Sequence, residues 1–451
     1  MSASTDLASA PGSGAPVIAD VFRRLSSSSS FRAHMAMVSE RADAFGSELR
    51  MKLAALGMDP VYRAVFDEAI DNHWARAFTL PYSSSTSPLT EVVVGAGLHA
   101  SIYASARVAT GYPAPLVLEA SSSAGGAFAI SRKPSFRLNS DNAPGITGLP
   151  KRRAALNYLP GAPVQPADLS GDEFQTNAEL AYCIRVALAL NATVATARNV
   201  RSMDAYVAPA RLSTGMAGVY ARRIIDARGL GQPQADSVPP FGTNIISADR
   251  FMASMDQPWP LRGTDRWAVL GGGDSGKCVI EALLGIGPTT FPATVDYIRR
   301  RIDWYANDLQ ATRSAWRDGQ RGRYSRIGSY LVRDDRVSRV RVLSQPGNIV
   351  PAGSMVLVNG RPYDKVVLAT GYRLTDMTAG PYSADFAAVR LNGLTVASQV
   401  GSVYRIGPAA RIDYSSDELA DGINIVRAGS NKDAIFRLAY RTAAFANSFK
   451  T

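Results

Sequence analysis

Val92-Val93-Val94-Gly95-Ala96-Gly97-Leu98-His99-Ala100 is the stretch on which the fold turns. A β-branched run, Glu91 to Val94, feeds a glycine turn that opens the helical pattern Ser101 to Val108. This is the GxGxxA form of the dinucleotide fingerprint, in its proper strand–turn–helix setting. Gly95 permits the tight turn, Gly97 with Ala96 lets the backbone approach a pyrophosphate, and Ala100 is small enough for helix and strand to pack closely. The helix then faces the anion with unpaired N–H groups. A second strand, Leu116 to Leu118, ends in Glu119, 22 residues after Gly97, where a carboxylate can accept hydrogen bonds from ribose hydroxyls. A bare glycine turn can instead merely pack an α/β core; fingerprint, flanks and acid together favour a dinucleotide.

A second opening follows the strand Trp267 to Leu270, 176 residues after the first. Gly271, Gly273 and Gly276 form GxGxxG, with Ser275 placed to cap the helix or touch phosphate. The same residues nearly match the phosphate-cradling GxxxxGK[ST], but Cys278 stands where that loop needs a hydroxyl for Mg²⁺. The next strand is expected about twenty residues on, over Thr294 to Ile298, although Val295, Ile298, Ile302 and Tyr305 also fall at helical spacing. Arg299, Arg300 and Arg301 come next. They suit the 2′-phosphate of NADP through bidentate bonds, or equally a solvated helix face on which Asp303 pairs with Arg299.

Composition narrows the function class. The 451 residues are 46% hydrophobic and 19% charged, enough to build sizeable cores. The net charge of +11 comes from 42 arginines rather than the seven lysines. Two cysteines, Cys183 and Cys278, form no CxxC, which disfavours dithiol redox chemistry and a zinc ribbon. Three histidines exclude a His-rich metal centre and leave little material for a Ser-His-Asp arrangement. No apolar run of about 18 residues is present to span a membrane, and the first residues lack a secretory layout. A cytoplasmic location is expected. The basic runs Lys151-Arg152-Arg153 and Arg299 to Arg301 raise an acidic partner or nucleic acid, but no aromatics interleave for base stacking, which disfavours nucleic acid.

The Ser/Ala/Gly/Pro-rich start and the run Ser26 to Ser30 are expected to be mobile, giving a disordered segment over 1–30. Helical periodicity marks an extension over 31–89. Within it Asp59-Pro60 opens a helix with Val61, Val65, Phe66 and Ile70 on one face. The helix Glu179 to Leu190 reads as amphipathic, with Cys183 on its core side.

The order GxGxxA, Glu119, then Gly125-Gly126 and Phe128 resembles the FAD-binding half of two-dinucleotide flavoproteins, shared by glutathione-reductase-like enzymes and flavoprotein monooxygenases. In that family the GG turn passes the pyrophosphate and ribityl chain. The strand and turn Val366 to Tyr372, with Gly371, resembles the link returning from the nicotinamide domain in class B flavoprotein monooxygenases; Ile224 to Gly229 resembles the outward link. Val403 to Pro408, with Gly407, resembles the last FAD strand, though Pro408 stands where many relatives carry an aspartate. No histidine follows His99, so the FxGxxxHxxx[FYW] signature of Baeyer–Villiger enzymes is absent, and the helical extension has no counterpart in the family.

The resemblance implies an α/β chain with two Rossmann-like dinucleotide-binding domains. The FAD-binding domain would occupy 90–230 and 375–451, with the NAD(P)H-binding domain and linker inserted over 231–374. It implies the cofactors FAD and NADPH, with NADH as alternative, and an oxidoreductase that inserts oxygen from O₂ into a small organic substrate. Asn139 would be a hydrogen-bonding partner of a flavin peroxide and Arg137 a positive charge near the ring; a plain Asn/Asp/Ser turn is the other reading of that stretch. An NAD(P)H oxidase or reductase without oxygen insertion, and a nucleotide-binding sensor or interaction module, stay open, as does a homo-oligomer.

Overall fold

This computed structural model describes residues 10–40, 47–76, 80–130, 137–141, 159–169, 174–215, 218–233, 244–253, 265–272, 274–284, 301–306, 339–344, 348–374, 378–379, 386–410 and 432–449. Its larger sheet, of ten strands, is built around β1 (Leu89–Val94). Parallel to β1 run β2 (Leu116–Leu118), with Val93 opposite Val117, and β4 (Gly218–Asp226), with Val93 opposite Ile225. The short β3 (Thr193–Ala195) extends the sheet beyond β2, and β8 (Val403–Arg405) lies parallel to the end of β4. These strands read as near-continuous apolar runs because they are covered on both faces.

A smaller sheet holds five parallel strands: Ile245–Ser247, β7 (Lys365–Leu368), β5 (Trp267–Leu270), β6 (Ile302–Ala306) and Val340–Ser344, in that spatial order. The helix Asp274–Leu284 places Cys278, Val279 and Leu283 on one face of it. An antiparallel trio, Ile349–Ala352, Met355–Val358 and Arg361–Tyr363, packs on the other, with Val356 and Val358 against Leu270 and Tyr305. The chain leaves the larger sheet after β4 and rejoins it at Thr378–Ala379, which pairs with Ser202–Asp204 ahead of β8. The outgoing Gln232–Pro233 and returning Tyr372–Arg373 pair antiparallel, so departure and return lie side by side.

Within the serine- and glycine-rich start, the described residues begin at 10 and include two helices. Its first helix, α1 (Ala15–Ser26), buries Ile18 and Val21, and α2 (Ser29–Ser39) is capped by the Ser28 hydroxyl, which accepts from the Phe31 N–H. Gly12 and Gly14 donate to Leu190 O and Ala189 O at 3.0 and 3.2 Å. A Cβ at Gly12 would lie 2.2 Å from Ala189 O, so this glycine serves a close approach rather than flexibility. Two more helices follow, α3 (Glu48–Met58) and α4 (Pro60–Ala75). Asp59 caps α4 as its sequence suggests, accepting from the Val61 N–H at 2.7 Å. Phe66 and Ile70 are buried, but Val61 is 67% exposed, because the first turn of α4 projects beyond the core.

The four helices share a core with the larger sheet. Leu53, Leu56, Phe66 and Trp74 pack in the same cluster as Val93, Leu98, Tyr103, Tyr182 and Leu188. Tyr182 meets Phe66 edge-on at 4.9 Å and donates to Leu53 O at 2.7 Å. Each such buried aromatic or aliphatic side chain contributes about 1.5–3 kcal/mol. Consequently α6 (Asn177–Asn191) is not amphipathic as its sequence suggested: its residues from Leu180 to Leu190 are all buried, enclosed by the extension.

On the first fingerprint helix, α5 (Leu98–Ala109), Arg107 is fully buried. It pairs with Glu91 at 3.1 Å, donates to Ala446 O and Phe449 O, and stacks 3.4 Å over the Tyr112 ring. This fastens the C-terminal helix α8 (Lys432–Ser448) to α5. Arg107→Met leaves Glu91 buried with only the more distant Arg223 as cation, and is expected to cost about 3–5 kcal/mol. An unchanged midpoint in guanidinium unfolding would contradict this.

Candidate dinucleotide sites

Two glycine turns lie against each other at the carboxyl end of β1. Gly95 adopts φ +95°, and a Cβ there would lie 3.1 Å from Ala227 O, at the end of β4. The Gly125 N–H donates to Ala96 O at 2.8 Å, docking the GG turn on the first. Gly126 has φ +61°, and a Cβ on it would lie 3.0 Å from Gly97 Cα. A Cβ on Gly97 would make only one contact, to Gly126 Cα at the ordinary distance of 3.6 Å. The protein's own packing therefore does not explain Gly97. Space beside it, and the first turn of α5, which no side chain caps, fit a pyrophosphate. Ala100 is fully buried at the helix–strand contact, as its small size requires.

Glu119 lies beside these turns and is almost completely buried. One carboxylate oxygen accepts the Ala96 N–H at 2.7 Å; the other accepts the Ser121 N–H and hydroxyl at 2.9 and 2.8 Å. Three of about four lone-pair positions are filled from within the chain, leaving one for a ribose hydroxyl. Glu119 thus also braces the fingerprint turn, which its sequence position alone did not suggest.

Beyond the ends of β4 and β8, Asp226 is fully buried between Arg228, at 2.8 Å, and Arg405, at 3.4 Å. Gly407 has φ +59°, and a Cβ there would lie 2.4 Å from the His99 ring. His99 Nδ1 is 2.9 Å from the Thr442 hydroxyl, so this imidazole packs the Gly407 turn against α8. Pro408 is buried in the 3₁₀ turn Gly407–Ala410.

The second turn uses the same device. Gly271 has φ +120°, and a Cβ on it would lie 2.0 Å from Ala369 O, just after β7. The Trp304 indole donates to Gly271 O at 2.7 Å, and a Cβ on Gly276 would lie 2.1 Å from that same oxygen. Trp304 was missed in the sequence because its strand was misplaced. Ser275 is in the first turn of the helix, Gly371 follows at φ +89° with open space around it, and Gly273 lies outside the described residues. Cys278 is fully buried, which removes it as a metal ligand in a GxxxxGK[ST]-type loop.

The second strand of this half is β6, not residues 294–298. Asp303 obscured the apolar run Ile302 to Ala306: it is buried, accepts from Arg341 in the neighbouring strand at 2.5 and 2.8 Å, and accepts from Tyr363 at 2.6 Å. It is therefore not a helical partner of Arg299. Arg299 and Arg300 lie outside the described residues.

Residues Arg137–Asp141 form a strand antiparallel to Phe174–Thr176, rather than a turn. The side chains of Arg137 and Asn139 lie outside the described residues, as does the basic run at 151–153. Cys183 and Cys278 are buried in separate cores, and burial pushes the Cys183 thiol well above its ordinary range. Among the described residues no His/Cys/Asp/Glu cluster suits a metal, and no helix is long and apolar enough to cross a membrane.

No protein-family model matches the chain, and no curated protein matches it in sequence. Among solved structures it is similar to a flavin-containing monooxygenase from Stenotrophomonas maltophilia, at 18% identity and a TM-score of 0.51, over 80% of this chain and 99% of that one. It also aligns with an ornithine N-hydroxylase from Kutzneria sp. 744, solved with reduced FAD, NADP⁺ and L-ornithine, at 16% identity and a TM-score of 0.49, over 80% and 98% of the two chains. A thioredoxin reductase from T. acidophilum aligns at 16% and 0.46, over 80% and 98%. The likeness to the first is one of fold, and it accords with an α/β chain of two Rossmann-like halves.

Two outcomes check this geometry. Gly271→Ala forces a methyl into the Ala369 carbonyl at a φ that disfavours side chains, and is expected to cost at least about 1–3 kcal/mol; wild-type thermal stability would contradict it. A disulfide-exchange reagent should titrate neither cysteine in the native protein and both after unfolding. Rapid native labelling would contradict the burial.

Proposed function

We propose that the chain is an FAD-dependent oxidoreductase that draws hydride from NADPH or NADH and transfers one oxygen atom from O₂ to a small organic substrate. The observation that carries the flavin part is the pair of interlocked turns, with Gly97 left open towards the first turn of α5, which no side chain caps. In this reading Gly95, Ala96, Gly97 and Ala100 form the pyrophosphate cradle with Gly125 and Gly126, and Glu119 takes a ribose hydroxyl. Gly407 shapes the turn after β8 beside the same cradle. Gly271, Gly273, Ser275 and Gly276 receive the nicotinamide dinucleotide, with Gly371 at the return link. Arg299 and Arg300 are proposed to hold the 2′-phosphate of NADPH, and the choice between NADPH and NADH rests on the direct comparison below.

When bound, FAD supplies the hydride acceptance and oxygen chemistry, which no side-chain nucleophile of this chain needs to provide. The overall reaction balances as substrate, O₂, NAD(P)H and a proton giving oxygenated substrate, water and NAD(P)⁺. Arg137 and Asn139 are proposed to bring a positive charge and a hydrogen-bonding amide to the flavin side. Against a disulfide reductase stands the absence of a dithiol, since the only two cysteines are buried in separate cores. An NAD(P)H oxidase or a reductase of another acceptor is the second reading, favoured by the same cradle.

Purified protein is expected to show a flavin spectrum that bleaches with NADPH or NADH and recovers in air, with one of the two nucleotides acting at lower concentration. A colourless protein that takes up no FAD overturns the proposal. With ¹⁸O₂ and an accepted substrate, label should enter the organic product; label only in water or peroxide identifies the oxidase instead. Glu119→Ala should weaken FAD binding by about tenfold or more, as expected for loss of a charge-assisted hydrogen bond.

A further inference from the structure

The loop between Glu119 and the GG turn is held from outside the larger sheet. Arg185, on α6 and 7% exposed at its side chain, donates through Nε to Ala124 O at 2.9 Å, the residue just before Gly125. Its other nitrogens pair with Asp67 at 2.6 Å and Asp71 at 3.1 Å, both on α4 of the N-terminal extension, and one also bonds Ser123. The Ser123 hydroxyl lies 3.2 Å from both Asp71 oxygens, while the single Ser121 hydroxyl proton is shared between Ser123 O and Glu119, which the Ser121 N–H also reaches. An unbroken set of hydrogen bonds therefore runs from α4 through Ser123 and Ser121 to Glu119, and through Arg185 and Ala124 to Gly125.

We propose that the N-terminal helices are a strap on the cofactor cradle, with Asp71, Arg185 and Ser123 as positioning residues that hold the Glu119–Gly126 loop in its FAD-binding form. This rests on the FAD reading above. None of the three is assigned a contact with the cofactor; they act by fixing Glu119 and Gly125. Covering apolar surface alone would give Asp67 and Asp71 no reason to meet Arg185 and Ser123 at this loop. The extension has a second ion pair to the rest of the chain, Arg50 with Asp168 at 2.7 Å, which does not touch the loop and serves as an internal control.

The experiment measures FAD dissociation constants for deflavinated full-length protein by flavin fluorescence, together with the melting temperature of the flavin-free form. Ser123→Ala and Asp71→Asn should each weaken FAD binding about tenfold, a hydrogen-bond-sized effect. Arg50→Ala should lower the melting temperature yet leave FAD affinity unchanged. Folded Ser123→Ala and Asp71→Asn variants that bind FAD as tightly as wild type overturn the strap. Equal loss of affinity in Arg50→Ala overturns it too, because the effect would then be general destabilisation. Ser123→Ala removes one hydroxyl without stranding a charge, so it keeps the test decisive if Asp71→Asn fails to fold. A wild-type chain that binds no FAD instead removes the flavin reading on which the strap rests.

Discussion

The contact between Gly97 and Gly126 is the constraint around which the larger half is arranged. Gly126 can lie this close to the Gly97 backbone only because it carries no side chain, and the Gly125 N–H to Ala96 O bond fixes the spacing of the two turns. Everything nearby serves that arrangement. Glu119 holds Ala96 from the side, Ala227 closes on Gly95, and His99 fills the space that a side chain at Gly407 would need. The result is a short stretch of exposed backbone at a helix N-terminus, a place suited to an anionic phosphate rather than to side-chain catalysis.

The second half reaches a similar end with different parts. Its first glycine is closed upon by Ala369, as Gly95 is by Ala227, so in both halves the residue just after a strand paired with the fingerprint strand supplies the backing carbonyl. The Trp304 indole takes over the task of fixing the turn's own carbonyl. Departure and return of the chain pair as Gln232–Pro233 with Tyr372–Arg373, so the two links of the inserted half run side by side.

Both glycine turns, Glu119, the GG turn and the two linking strands were legible in the sequence, because each depends on local chemistry: a residue without a side chain, an acid at a fixed distance, a β-branched run. What was not legible depends on distant partners. Asp303 looks polar and breaks an apolar run, yet it sits in a buried strand because Arg341 and Tyr363 satisfy it. Gly12 and Ser28 look like linker residues, yet one permits a close approach to Ala189 and the other caps a helix. The helix at 177–191 reads as half-exposed because nothing in its own periodicity signals that the extension covers its outer face.

The role of the extension follows from the same point. Its apolar residues merge with the core, and its Asp67 and Asp71 pair with Arg185 beside the Glu119–Gly126 loop, which ties a segment with no counterpart in the resembled family to the cradle itself. The account as a whole stands on that cradle holding FAD. The most direct measurement is to denature the purified protein and identify the chromophore released. FAD at about one molecule per chain is the predicted result; FMN, another nucleotide, or no flavin even after incubation with excess FAD would contradict it.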